Sequence, residues 1–598
     1  MGDNQDFQLA KIDHVELLSS QSGTLYQSRE LTDVTFIVEK TKFTAHRVIL
    51  AARSEYFRAL LFGGMREANP GIEIEVADAS SIAFDALLRY IYTGKMFLAE
   101  YREEIVMELL GLAHKYGFLA LESAIQGYLK AILDVKNVCL IFDMASLYQL
   151  KDLYETCLEF LDANAIEVIA SESFSMLSRT SLIDIIKRDS FCAPEVQIFR
   201  AVSDWIEVNK DSKEEDIESV LQCVRLTQIS LHELFHTVRP TKLYSADAIL
   251  DSIKIKTESR VSEMNFRGHL VKDENIATSS YGTDVIEGEK RDGLLDNESL
   301  NYDLDRGFSR HLIADGDKGI CIALGRPSII NTIRMLLWDR DLRSYSYYIE
   351  VSIDNQDWVT VIDYSKYLCR SWQILHFAPR VVRYIRIIGT YNSVNKVFHL
   401  VHFECMYSTG SFKLSDNGII VPSDNVAVPT ASASVIEGVS RSWNALLNGE
   451  TKCYDWNSGY TCHQVGSGSI VVQLAQPYFI GSMRLLLWDC DDRCYSYYIE
   501  VSTDRQHWTK VVDKSNEQCR AWQHLEFKPL PMTFIRIVGT HNTANEVFHC
   551  VHFECPSTIS NTENCNEITE KLEIGRGGRY LINIDYFNCY PFLPSSPL

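Results

Sequence analysis

Basic residues are scarce in this chain, which has 58 Lys and Arg against 80 Asp and Glu and a formal net charge of -22 at pH 7. A protein that binds the phosphate backbone of nucleic acid or an anionic membrane surface needs clustered Lys and Arg. We therefore expect neither nucleic acid nor an anionic membrane among its direct partners.

Targeting signals and long apolar runs are also missing. The start MGDNQDFQLA lacks the basic and apolar regions of a secretory signal, and Asp6 stands where a myristoylation motif has Ser or Thr. The most apolar stretch, around Ile470 to Trp488, is interrupted by Gln473, Gln476 and Arg484, so we expect no membrane insertion. The 16 cysteines are sparse in 598 residues. We expect them to be thiols in a cytoplasmic protein.

Recognisable catalytic and metal-binding arrangements are lacking as well. We find no Gly-rich phosphate loop, no nucleophile elbow and no paired acid/base residues, and we expect no catalytic residue and no cofactor. His402 and Glu404 share one strand face with His399 nearby, but zinc needs three or four converging ligands. We expect no metal there, nor at the cysteines that only the second copy of the repeat described below contains, Cys453, Cys462, Cys490 and Cys494.

The first hundred residues combine strand and helix patterns. Residues 34–38 and 72–76 alternate apolar with polar side chains, as half-buried strands do. A helix is predicted to start at a Ser81 cap and to stop at Gly94. The sequence resembles a BTB (POZ) domain in a run of residues that come in the right order: Asp33, His46, Ser54, Tyr56, Phe57, Tyr90, Tyr92, Thr93 and Gly94. The resemblance implies an α/β interaction module that dimerises, often through its N-terminal helix, here about residues 12–28.

Met65-Arg66-Glu67 matches the apolar-x-acidic motif with which the adaptor branch of the BTB family docks onto cullin-3. In such a contact the apolar side chain is buried and the carboxylate accepts a hydrogen bond beside it. The alternative is that Met65 only closes the preceding helix and that Glu67 is a solvated loop charge.

Asp33 and Arg47 match the charged pair in the central groove of the BTB family, which transcriptional members use to bind corepressors. The alternative interpretation is a buried ion pair that fixes a strand to a helix.

Helical periods replace strand alternation from about residue 134 to residue 253. Pro194 lies near a predicted helix start, followed by an apolar stripe that includes Phe199 and Trp205, which we interpret as core. This all-α bundle directly after the BTB domain resembles the BACK domain of BTB adaptors. The resemblance implies that the bundle extends the cullin contact and spaces the substrate module from it.

The second half of the chain contains two copies of one repeated unit. RMLLWDRDLRSYSYYIEV at Arg334–Val351 returns as RLLLWDCDDRCYSYYIEV at Arg484–Val501, an offset of 150 residues (484 minus 334). Alternation in SYSYYIEVS predicts a strand with one buried face, and each copy consists of short strands joined by turns. Each copy therefore predicts an all-β sandwich.

Both copies resemble the discoidin or factor V/VIII type C module, a jelly roll of the galactose-binding-like class. Secreted modules of this family bridge a Cys of the first strand to one of the last. Here Cys405 and Cys555 end the copies, but no Cys lies near Asn275 or Asn425, so this bridge is excluded. Its absence agrees with an intracellular version and puts inherited lipid or glycan binding in doubt.

Charged residues recur between two strands of each copy: Asp339, Asp341 and Arg343 return as Asp489, Asp491 and Arg493. Loops at one end of a sandwich are common binding surfaces, and two equivalent loops would give a bivalent adaptor avidity for its client. The alternative is that these charges pair with one another and cap turns.

The fold class predicted is therefore a multidomain α+β chain. Its segments are a BTB domain (12–130), a BACK bundle (134–253), two discoidin-like sandwiches (275–405 and 425–555) and a C-terminal tail of unplaced structure (556–598). We predict a non-catalytic homodimeric adaptor that brings client proteins, through the sandwiches, to a cullin-3 RING ubiquitin ligase. The alternative is a BTB-based scaffold in neuronal, synaptic or vesicle-trafficking assemblies that does not bind cullin.

Overall fold

The computed structural model describes residues 13–557, apart from residues 70, 211–212, 292, 297–298, 301, 304–305, 315, 441, 443 and 458. Most of the predicted C-terminal tail lies outside the described residues. The BTB region has a three-stranded sheet in which Val34–Val38 pairs antiparallel with Thr41–Ala45 and parallel with Glu73–Glu75. Its helices are Val15–Ser28, Arg47–Arg53, Glu55–Phe62, Ser81–Thr93, Glu103–Lys115 and Leu119–Ala131.

The helix Ser81–Thr93 shows why this region folds as predicted. Its cap is Ser80, one residue before the predicted one, whose side chain accepts a hydrogen bond from the backbone N–H of Ala83. Gly94 ends the helix in the left-handed conformation (φ 69°), which glycine adopts without a steric penalty.

The BACK region continues the same hydrophobic core. A single cluster of buried residues extends from Val34 to Ile249, so the BTB sheet and the BACK bundle share one interior. Trp205 is core as predicted, and its indole N–H donates to the carbonyl oxygen of Leu177 at 2.8 Å. The main BACK helices are Val138–Leu147, Lys151–Ala163, Ala165–Ile169, Arg179–Ile186, Glu195–Val208, Glu214–Leu221 and Ala246–Glu258.

The segment from residue 260 to residue 272 joins the bundle to the first sandwich and is held on both sides. Arg267 is buried and donates to both carboxylate oxygens of Glu195, at 2.8 and 3.1 Å, and to the carbonyl oxygen of Arg188 at 2.7 Å. On the other side, the backbone of His269 pairs with residues 327–329 of the sandwich. This polar stretch is therefore part of the packing between the bundle and the first sandwich.

Each sandwich is an antiparallel eight-stranded sheet that folds over its own core. In the first sandwich the strands are Asp284–Glu287, Glu289–Arg291, Phe308–Leu312, Ile320–Leu337, Tyr345–Ser352, Val359–Cys369, Trp372–Asn392 and Val397–Met406. In the second they are Ser434–Glu437, Val439–Ser440, Thr461–Gln464, Ile470–Leu487, Tyr495–Ser502, Thr509–Cys519, Trp522–Asn542 and Val547–Glu554. The two sheets have the same strand order, as the repeat predicts.

The ends of each repeat are joined by an asparagine where the secreted modules have a disulfide. The side-chain oxygen of Asn275 accepts from the backbone N–H of Cys405 at 3.1 Å, and Asn425 does the same for Cys555 at 2.8 Å. Both cysteines are buried free thiols. A hydrogen bond thus links the first and last segments of each sandwich without oxidation.

Candidate functional sites

The Met65 turn, residues 63–68, projects from the BTB region. It follows the helix Glu55–Phe62 and contains Gly63 and Gly64 before a 3-10 turn at Arg66–Ala68. The side chain of Met65 is 53% exposed, so it is not part of the core. Within the described part of the chain, the carboxylate of Glu67 has no hydrogen-bond or ion-pair partner. Met65 is therefore accessible to a partner, and the half-buried Glu67 keeps an unpaired carboxylate beside it.

Arg47 holds this turn in place. Its guanidinium donates to the carbonyl oxygens of Leu61 and Ala68, which lie just before and at the end of the turn. Its backbone N–H donates to the carboxylate of Asp33 at 2.7 Å. Among the described residues the side chains of Asp33 and Arg47 make no ion pair with each other. The predicted groove pair is therefore a helix cap plus a brace for the Met65 turn, a link between two predicted sites that the sequence alone did not indicate.

A groove of about 720 Å³ runs between the BTB helix Glu103–Lys115 and the BACK helix Val138–Leu147. Its apolar lining includes Met107, Leu112, Leu140 and Met144. Its acidic lining residues are Asp78, Glu104, Glu108 and Asp143. The groove needs both domains, so no local sequence pattern identified it.

The repeated loop charges are paired inside each loop. The guanidinium of Arg343 donates to the carboxylate of Asp341 at 2.7 and 2.5 Å, and Arg493 donates to Asp491 at 2.6 Å through two nitrogens. This contact holds the pKa of Asp491 below its usual range. Arg343 and Arg493 are buried, whereas the Asp341 side chain keeps 45% exposure. The geometry fits the turn-capping interpretation and leaves the paired carboxylates of Asp341 and Asp491 partly exposed.

A tyrosine supports each loop from a neighbouring segment. The hydroxyl of Tyr302 donates to Asp339, and that of Tyr454 donates to Asp489. The two tyrosines are 152 residues apart rather than 150, because the intervening loops differ in length. A fixed repeat offset therefore missed this correspondence.

The exposed neighbours of these loops differ between the copies. Leu342 is 62% exposed in the first sandwich, and Asp492 takes its position in the second. Trp456 is partly exposed in the second sandwich, where Arg493 lies 4.7 Å from its ring centroid. The two loops share an internal framework and present different surfaces.

The strand histidines pair with a carboxylate. Nε2 of His402 lies 3.0 Å from Oε1 of Glu404, and the other carboxylate oxygen, Oε2, lies 3.0 Å from Nη1 of Arg334. In the second copy burial opposes ionisation of Glu554, but hydrogen bonds from His552 and Arg484 lower its pKa to about 2. The carboxylates thus act as counter-ions within each sandwich.

The expectation that the sequence also lacks an H-E-x-x-H motif, the helical motif with which zinc proteases hold their metal, is wrong, because the string occurs at His232 to His236. Here the Glu233 carboxylate accepts from the backbone N–H and hydroxyl of Ser230 as part of a capping box. The two histidine rings stack with centroids 4.2 Å apart. In the part of the chain that the structure describes, no group of three or more His, Cys, Asp or Glu could hold a metal ion.

Family profiles match three segments of the chain. The BTB/POZ domain profile matches residues 23–133, the BTB And C-terminal Kelch (BACK) profile residues 138–239, and the F5/8 type C domain profile residues 430–553. Within the described residues, none of the helices is both long and apolar enough to cross a membrane. A BTB domain followed by a BACK domain is the domain content of an adaptor-type BTB protein.

Proteins that match almost the whole chain identify its family. BTB/POZ domain-containing protein 9 of Homo sapiens is 59% identical over 559 residues, which cover 93% of this chain and 91% of the human protein. The Drosophila melanogaster protein of the same name is 50% identical and covers 92% of this chain and 75% of its own. The chain therefore belongs to the BTB/POZ domain-containing protein 9 family.

Solved structures match single segments. The zebrafish PATZ1 BTB domain is 25% identical, with a TM-score of 0.17, and the match covers 20% of this chain and 98% of that domain. A carbohydrate-binding module, CBM32 of AlyQ in complex with 4,5-unsaturated mannuronic acid, is 15% identical, with a TM-score of 0.18, and covers 21% and 94%.

Proposed function

We propose that the protein is a cytoplasmic, non-catalytic adaptor that docks onto cullin-3 through Met65 and Glu67 and presents client proteins through its sandwiches for ubiquitination. The observation that carries the proposal is the Met65 turn. An exposed apolar side chain and an unpaired carboxylate stand on a turn braced by Arg47, in a BTB domain followed directly by a BACK bundle. Burial of one such anchor supplies much of the energy of a protein interface.

The groove between the BTB and BACK regions supports a larger contact than one turn. Its methionines suit an adaptable apolar contact. Asp78, Glu108 and Asp143 already accept hydrogen bonds from Lys115, Ser80 and Ser178, which leaves Glu104 to pair with a basic residue of the partner segment. We propose that this groove is where the BACK bundle extends the cullin interface.

Homodimerisation belongs to the same proposal. The helix Val15–Ser28 contains no buried residue, and Val15, Leu17 and Leu18 are more than half exposed. Apolar side chains in this position fit a helix that is covered by a second copy of the chain. We also propose the domain bounds 12–130, 134–253, 275–405 and 425–555. The proposed client-facing loops contain Asp339, Asp341, Arg343, Asp489, Asp491 and Arg493.

The test is direct binding of the purified full-length protein to cullin-3. Met65→Ala with Glu67→Ala should weaken binding at least thirtyfold, about 2 kcal/mol, because both side chains are free in the isolated adaptor. Glu172→Ala with Met176→Ala is the matched control, since it removes an exposed methionine and a glutamate from the BACK surface. Melting temperature and the dimer mass by light scattering should be unchanged in both variants.

Two outcomes would contradict this proposal. If the Met65 and Glu67 variant loses its fold, the turn is structural and its exposure misleading. If the wild-type dimer does not bind cullin-3 at all, a scaffold without cullin binding is the better account.

A further inference from the structure

A cavity of about 190 Å³ lies between the BACK region and the first sandwich, away from the Met65 turn and the sandwich loops. Its walls come from residues 261–266, from the loop after the strand Tyr345–Ser352, and from residues 379–381. The apolar part of its lining includes Phe266, Val351, Val359 and Val381. The rest of the lining is mainly polar, so the cavity has room for a small ligand with a charged or polar end.

The two carboxylates that line the cavity already have partners. Asp357 accepts from the backbone N–H of Ser262 at 2.8 Å and from the guanidinium of Arg260. Asp189 accepts from Arg225 at 2.6 Å. These contacts satisfy both negative charges with groups of the junction itself.

Two side chains that line the cavity have hydrogen-bond donors without a partner among the described residues. Neither the guanidinium of Arg380 nor the side-chain amide of Asn265 has a hydrogen-bond or ion-pair partner among the described residues. Arg380 is half-buried, and burial lowers its pKa. With Arg225 and Arg260 paired to the two carboxylates, Arg380 leaves one uncompensated positive charge at the cavity. A partly buried cation without a counter-ion is costly unless something neutralises it.

The second sandwich shows that the fold does not require this cation. Arg380 pairs in register with Ile330, and the corresponding pair of the second copy is Leu530 with Ile480. His507 likewise replaces Asp357. The charged residues are therefore specific to the copy that packs against the BACK region.

We propose that this cavity binds a small organic monoanion. Its carboxylate would accept hydrogen bonds from Arg380 and Asn265, and its short apolar body would lie against Phe266, Val351 and Val381. Since the walls come from both the BACK region and the first sandwich, a bound ligand would stabilise the junction between them. The inference does not depend on cullin binding.

The test uses the full-length protein and three probes: isovalerate, its neutral amide isovaleramide, and inorganic phosphate. Isovalerate should bind saturably by calorimetry and raise the melting temperature, whereas isovaleramide and phosphate should do neither. Arg380→Leu, which installs the residue of the second sandwich, should weaken isovalerate binding at least tenfold. Arg383→Thr, also a residue of the second sandwich, lies outside the cavity lining and should bind like the wild type.

Arg380→Gln is the second variant in case Arg380→Leu perturbs the fold, because it keeps a polar side chain and removes the charge. No saturable binding of isovalerate to the wild type would overturn the proposal. If isovaleramide binds as well as isovalerate, or if a folded Arg380→Gln protein binds isovalerate as the wild type does, Arg380 does not recognise the charge of the ligand. Binding of phosphate alone would overturn the ligand class.

Discussion

The two sandwiches have nearly the same interior and different surroundings. In both, a tyrosine hydroxyl lies 3.2 Å from a buried histidine, Tyr345 with His399 and Tyr495 with His549. In both, an arginine guanidinium lies over a tryptophan ring. The guanidinium carbon of Arg386 is 4.2 Å from the ring centroid of Trp358, and that of Arg536 is 4.0 Å from the ring centroid of Trp508. Residues that recur in the repeat are thus mostly those that the interior requires.

Residues that differ between the copies lie where the surroundings of the two sandwiches differ. Asp357 and Arg380 face the BACK junction, and His507 and Leu530 replace them in the second sandwich. The recurring pair of Asp341 and Arg343 instead belongs to the framework that the two loops share.

The largest expected effect concerns the contact between the BACK region and the first sandwich. Arg267→Met should destabilise the contact between the BACK region and the first sandwich by about 3–5 kcal/mol, because it leaves the carboxylate of Glu195 buried without its counter-ion. Hydrogen exchange should increase in residues 265–269 and not in the strand Tyr495–Ser502, which serves as the internal reference.

Arg260→Met is the control for that experiment, because Arg260 is largely exposed and the loss of its pair with Asp357 should leave the protection of residues 265–269 nearly unchanged. Equal protection of residues 265–269 in wild type and Arg267→Met would mean that the buried pair does not hold the junction.

The next prediction tests the symmetry of the interiors. Gly389 and Gly539 sit in the repeated I-R-I-x-G-T strand, and a Cβ at either position would overlap the Cβ and ring of Phe398 or Phe548. Gly389→Ala and Gly539→Ala should therefore each destabilise their own sandwich by about 1–3 kcal/mol, as overpacking does. Hydrogen exchange resolved by sandwich measures both. Markedly unequal losses would show that the two interiors are less alike than their contacts indicate.

Much of this architecture could be predicted from the sequence because its determinants are local. Alternation in Tyr345–Ser352 predicts a strand, and the buried alternate side chains follow from it. The junction could not be predicted in this way. Arg267 and Glu195 are 72 residues apart, and the local pattern around neither residue indicates the other. The brace from Arg47 to Ala68 likewise depends on a tertiary approach that no spacing rule encodes.

The smallest expected effect on stability concerns the loop surfaces, where the copies differ most. Leu342 is 62% exposed, and Asp492 is fully exposed apart from its pair with Arg520. Exchanging them singly, as Leu342→Asp and Asp492→Leu, should change the stability of either sandwich by about 0.5 kcal/mol or less. If the loops contact clients, each exchange should nevertheless remove a different set of proteins from quantitative affinity purifications, because an apolar and an acidic contact select different partners.

Melting curves of both variants, measured in parallel, distinguish a loss of binding from a loss of folding. Loss of the same proteins in both variants would instead favour two equivalent sites acting through avidity, and no change in either would move client recognition away from these loops.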